Sequence, residues 1–194
     1  MISHVDKRVG NIIQTLKDNG LYENTIIIFA GDNGLAVGQH GLMGKQNVYE
    51  HSVGVPLMIK AAAQHTGKKT ADPCYLIDVF PTLCDMLQLP VPQSVDGISL
   101  LSSLDGKEPV RDYLYYSYMD NQRGISDGTW KLIEYHVNGK RTTQLFNLKN
   151  DPWERNDLSG QKKYEKTIQR LREKMAEEQK RTNDTSVFWN NFNY

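Results

Sequence analysis

The sequence predicts an α/β fold that ends in a small antiparallel sheet with a packing helix. Three observations carry that expectation. Residues 2–18 have helical apolar spacing, Thr25-Ile-Ile-Ile-Phe-Ala30 is an apolar run after a turn, and several short strand-like segments precede a charged amphipathic stretch. Helix, turn and buried strand make half of a right-handed βαβ unit. A run apolar at every position suits a strand covered on both faces, as in a parallel sheet.

In the first helix Ile2, Val5, Val9, Ile12, Ile13 and Leu16 fall on one face, and Asn19-Gly20 is a stop signal. Glu23-Asn24 turn the chain into the Thr25–Ala30 strand. Residues 31–54 are glycine-rich and polar, the kind of long loop usually kept for function. Val55–Lys60 reads as a second strand and Ala61–Asp72 as a polar linker. Asp78 is expected to cap a helix that runs to about Leu89, with Phe80, Leu83 and Leu87 as apolar positions.

Beyond Leu89 the character changes, with Pro90, Pro92 and Pro109 marking loops. Strands are expected over Tyr113–Tyr118, Arg123–Ser126, Trp130–His136 and Thr142–Phe146. Asn138-Gly139 between the last two is a type I′ hairpin signal. Residues 160–181 form an amphipathic helix with Tyr164, Ile168, Leu171 and Met175 on one face. The aromatic tail Val187–Tyr194 is expected to dock on the body. The division that follows is 1–108 for the α/β part and 109–194 for the antiparallel part.

The 194 residues include 23 Lys plus Arg and 23 Asp plus Glu, for a formal net charge of zero. That balance gives no electrostatic argument for a nucleic-acid partner or an anionic membrane. No apolar run approaches the ~20 residues of a membrane span. Met1–Gly10 lacks the apolar stretch of a signal peptide and reads as the middle of a helix. Cys74 and Cys84 have no metal-like spacing and are expected to be free thiols.

The candidate chemistry lies at the end of the first strand. Ligands of open α/β sheets bind at the C-terminal ends of strands. Asp32 and Asn33 stand there with hard oxygen donors that suit calcium or magnesium. Gly31 and Gly34 allow a sharp turn, although Asp-Asn-Gly is also ordinary turn sequence. His40 and Lys45 follow in the same loop. Lysine supplies a point charge for an anionic oxygen and histidine a proton carrier near neutral pH. Together these residues suit a sulfate or phosphate ester.

The ordered set Gly31-Asp-Asn-Gly34, Gly38-Gln-His-Gly41, Gly44-Lys45, Tyr49-Glu50 and Val55-Pro56-Leu57 resembles the C-terminal half of the sulfatase family, within the alkaline phosphatase superfamily. Asp6-Lys-Arg-Val-Gly10, Asp78-Val-Phe-Pro-Thr-Leu83, Asp96-Gly97, Trp130-Lys-Leu-Ile133, Leu145-Phe-Asn-Leu148 and Asp151-Pro-Trp-Glu-Arg-Asn156 extend the similarity in family order. The resemblance implies an alkaline phosphatase-like sheet and hydrolysis of sulfate esters, with a sulfated small molecule or carbohydrate as substrate. It implies that Asp32 and Asn33 are calcium ligands, that Lys45 contacts the sulfate and that His40 lies near the substrate. Tyr49 and Glu50 are expected to shape the loop. Asparagine rather than histidine at position 33 favours calcium over zinc. By the same resemblance the protein is expected to be exported or lysosomal.

Two departures stand out. The family's formylglycine nucleophile arises in a Cys/Ser-x-Pro/Ala-x-Arg motif, and no Cys or Ser of this sequence begins one. Many members also have arginine where Gly54 stands. The chain is therefore expected to be the C-terminal portion of a longer sulfatase, inactive alone, with weak or absent calcium binding and a tendency to self-associate through an apolar face beside Thr25–Ala30. The alternatives are a phosphonate or phosphate monoester hydrolase of the same superfamily and a non-catalytic scaffold or carbohydrate-binding module.

Overall fold

The computed structural model describes residues 1–61 and 67–188. Helix α1 spans Ile2–Asp18. It ends where expected: Gly20 takes the left-handed conformation (φ 67°), its N–H donates to Lys17 O, and the Leu21 N–H donates to Leu16 O at 2.8 Å. This paired closure satisfies the last carbonyls of the helix. None of the α1 residues is buried, in spite of the apolar spacing.

Strand β1 is shorter than the apolar run, Ile27–Ala30, and pairs with β2, Leu57–Lys60. The pairing is antiparallel, Ile27 opposite Lys60 and Ala30 opposite Leu57. The parallel neighbours expected from the βαβ pattern do not occur among the described residues. Nor is the run buried on both faces: Phe29 is 37% and Met58 58% exposed. An unbroken apolar pattern reports that a strand has apolar surroundings available, and the described residues do not supply all of them.

Helix α2 is a single turn, Glu50–Val53, and α3 covers Val79–Met86, ending before Leu89 because Gln88 turns left-handed (φ 56°). Helix α4 is Leu101–Leu104. Asp78 precedes α3, but its carboxylate does not cap that helix. It faces inward instead, accepting from Tyr75 N at 2.7 Å, Ile98 N at 2.9 Å and both terminal nitrogens of Arg111. A carboxylate with no exposure needs that full set of donors.

The C-terminal sheet matches the expectation closely. Strands β3 (Leu114–Tyr118), β4 (Gln122–Ser126), β5 (Trp130–Val137) and β6 (Lys140–Asn147) form an antiparallel meander in chain order. Asn138 and Gly139 both have positive φ, as a type I′ turn requires. Helix α5, Glu165–Arg181, begins a few residues later than the amphipathic pattern, after a short 3-10 turn. It buries Ile168, Leu171 and Met175 against Ile125, Leu132 and Leu145. The period of two then places Ile133 and Phe146 on the opposite face, where they meet Val48 and Tyr49 from the long loop. The sheet is thus covered by α5 on one side and by the candidate loop on the other. In the tail Phe188 is buried against the body, with Arg123 over its ring. The rest of the expected aromatic dock, residues 189–194, lies outside the described residues.

Candidate functional site

The loop between β1 and α2 folds back on itself through glycine. Gly34 N–H donates to Ser52 O at 2.9 Å. A Cβ at position 34 would lie 2.0 Å from His51 O, so only glycine permits this approach. Ala36 N–H donates to Gly44 O. These two links bring residues 32–34 beside Lys45, whose Nζ donates to Asn33 Oδ1 at 2.7 Å. Asn33 Nδ2 donates to Gly34 O, which fixes the amide with its oxygen toward the lysine. Asp32 Oδ1 accepts the Asn33 N–H at 2.9 Å, and Asp32 is exposed.

Asp32, Asn33 and Lys45 line one open cavity of about 1130 Å³. Its wall also carries Glu50, Gly54, Cys74, Tyr75, Arg111 and Tyr116, from both halves of the chain. Burial, with the Asp78 carboxylate next in effect, pushes the Cys74 thiol up. Burial pushes the Tyr116 phenol well up. Neither group offers an anion near neutral pH.

His40 is not brought into this cavity. Its ring stacks on Tyr49 at 4.1 Å with 3° between planes, and Nε2 meets Trp153 O at 3.1 Å. The loop turns left-handed at His40 (φ 53°) and docks the ring on the C-terminal half. Neighbouring His51 is held below its usual range by burial, then by His40 and Lys131. Tyr49 and Glu50 do shape the loop. Tyr49 donates its hydroxyl to Gln144 Oε1 at 2.7 Å, and Glu50 is an ion-pair partner of Lys131 at 2.8 Å.

Lys131 and Glu154 escaped the sequence reading as functional candidates. Both are fully buried and paired at 3.1 Å. Burial pushes the Glu154 carboxyl up, against the opposing charge of Lys131. The signal was present: Lys131 interrupts an apolar strand in phase with Ile133, and buried lysines are almost always paired.

Asp32 and Asn33 suit calcium in kind, as hard oxygen donors. Calcium takes about six to eight oxygens, and Lys45 already engages the Asn33 oxygen. Among the described residues no group of three or more His, Cys, Asp or Glu could hold a metal ion. The two residues offer two of the oxygens such an ion takes.

The architecture is a glycine-rich loop that follows a short strand and is seated on a four-stranded meander. Residues 38–181 match the family N-sulphoglucosamine sulphohydrolase, C-terminal, and the chain belongs to that family. The N-acetylglucosamine-6-O-sulfatase of Bacteroides thetaiotaomicron is 30% identical over 193 residues, covering 93% of this chain and 34% of that protein. A solved structure in complex with its substrate D-glucosamine-2-N,6-O-disulfate superposes with a TM-score of 0.81 at 28% identity, covering 96% of this chain and 40% of that one. The phosphonate monoester hydrolase of Silicibacter pomeroyi gives a TM-score of 0.80 at 25% identity, covering 94% and 40%. The chain thus spans about a third of the length of the curated relative it matches.

Proposed function

We propose that this chain forms the sulfate-binding wall of a hydrolase for sulfated carbohydrates, with Lys45 as the residue that meets the sulfate. The observation that carries this reading is the Lys45–Asn33 contact at the cavity wall. A lysine has three N–H donors. One is spent on Asn33, which aims the ammonium and leaves two for sulfate oxygens. Charge placed beforehand where a transition state builds negative charge lowers the barrier. Asp32 and Asn33 would add two oxygens to a calcium completed by ligands from elsewhere in the intact protein, where the ion would help neutralise the sulfate. The formylglycine nucleophile would also come from outside this sequence.

One relative is named an N-acetylglucosamine-6-O-sulfatase and one similar structure holds a glucosamine disulfate as its substrate, which is the support for a carbohydrate substrate. A second reading, a phosphonate monoester hydrolase, is favoured by the similarity to the Silicibacter pomeroyi and Agrobacterium radiobacter structures. In the intact protein Lys45→Ala should lower kcat/KM for a 6-O-sulfated glucosamine by roughly a hundredfold, the loss typical of one charge-stabilising donor. Faster hydrolysis of a phosphonate monoester than of the sulfate ester would instead establish the second reading.

The exposed apolar residues of α1, Ile2 and Ile12 among them, and of β1 and β2 make the surface through which the isolated chain would self-associate. A mass in light scattering that stays monomeric across a hundredfold concentration range would refute that expectation.

A further inference from the structure

We propose that Lys131 and Glu154, two buried residues of the C-terminal half, are positioning residues that set Lys45 against Asn33 from outside the cavity. This rests on the reading of Lys45 as the sulfate contact.

The linkage can be followed bond by bond. Lys45 O accepts from Asn47 N at 2.9 Å. Asn47 Oδ1 accepts from Tyr49 N at 3.1 Å. The next residue, Glu50, is gripped twice: its N–H donates to Glu154 Oε2 at 2.6 Å, and its carboxylate accepts from Lys131 Nζ at 2.8 Å. Helix α2 begins at Glu50, and the same short helix accepts the Gly34 N–H at Ser52 O. Both ends of the Lys45–Asn33 contact therefore hang from α2, and α2 hangs from the Lys131–Glu154 pair.

The grip is built to resist movement. Lys131 extends from β5, the sheet's most extensively paired region, and has no exposure. Its ammonium also lies 5.0 Å over the Tyr116 ring. Glu154 holds a left-handed backbone (φ 53°) beside the Asp151-Pro152 turn, a conformation that costs energy for a non-glycine residue and persists only when its surroundings enforce it. Lys131 further cancels carboxylate charge at the wall. Without it, Glu50 would present an unbalanced anion to a cavity that receives sulfate.

The test is NMR of the 194-residue chain, following the Asn33 side-chain amide during titration with inorganic sulfate at constant ionic strength. Lys45→Met gives the reference position of the amide without its lysine. The double variant Lys131→Met/Glu154→Gln removes both buried charges together, which spares the fold from a lone buried ion. Without sulfate its Asn33 resonance should move toward the Lys45→Met position, while β5 and β6 amides stay in place. Its sulfate midpoint should rise at least tenfold. Glu50→Gln, which leaves the Lys131–Glu154 pair intact, should move the same resonance in the same direction and serves if the double variant does not fold. An Asn33 resonance unmoved in either folded variant overturns the proposal. Absence of any Lys45-dependent sulfate effect in the unaltered chain overturns the sulfate reading instead, and the sulfate-free resonance still judges the positioning.

Discussion

Arg111 holds the fully buried carboxylate of Asp78 through two guanidinium nitrogens, with Nη2 donating to Oδ1 at 2.8 Å. The pair ties the segment before α3 to the segment before β3, and with Ile98 N it fixes the back of the cavity. Arg111→Ala should leave Asp78 buried without a counter-charge and cost about 3–5 kcal/mol in urea unfolding. Arg111→Met/Asp78→Asn should cost clearly less, because the lone ion is then gone.

Gly34→Ala should loosen the loop without unfolding the meander. The added methyl would meet His51 O, a backbone atom that cannot swing aside. Overpacking of this kind costs about 1–3 kcal/mol. Hydrogen exchange should quicken over residues 33–54 and stay unchanged in β4–β6.

Acid should release the tail before the core. Burial raises the Asp184 carboxyl, but hydrogen bonds from Arg123 and Tyr115 overcome it and hold the group at about 2. The folded value lies below the usual ~3.9. This contact therefore contributes fully above about pH 4, and its contribution is lost as the pH falls through 2. Allowing for partial exposure, it is worth roughly 1–2 kcal/mol. Asp184→Asn should lower stability at pH 7 and flatten its acid dependence between pH 4 and 2.

The isolated chain should not hydrolyse an aryl sulfate. Lys45, aimed by Asn33, is the proposed sulfate contact, but no nucleophile motif of the family stands in the sequence. Measurable turnover by the purified chain, abolished by Lys45→Ala, would contradict this.

The hairpin at Asn138-Gly139, the α5 stripe and the Asp32–Asn33–Lys45 grouping were all legible in the sequence, because each depends on local spacing or turn chemistry. What escaped depended on partners far along the chain. The pairing of β1 with β2 and the exposure of Phe29 reflect which surfaces lie nearby, and residue order does not encode that. Asp78 looked like a helix cap because its neighbours fit one, and only its meeting with Arg111 turned it inward. His40 lies only five residues before Lys45, yet its ring stacks on Tyr49, a contact that sequence spacing does not encode.

The meander joins each strand to its neighbour in sequence, so every pairing in it closes over a short stretch of chain. Such local contacts form early and quickly. The candidate loop has no comparable start of its own, since Val48 and Tyr49 find their partners only on Ile133 and Phe146. On a ribosome those partners emerge about 85 to 97 residues after Val48 and Tyr49, roughly 4–20 seconds later at ordinary synthesis speed. The residues that would hold sulfate are thus made first and organised last, against a template still to be synthesised when they leave the tunnel.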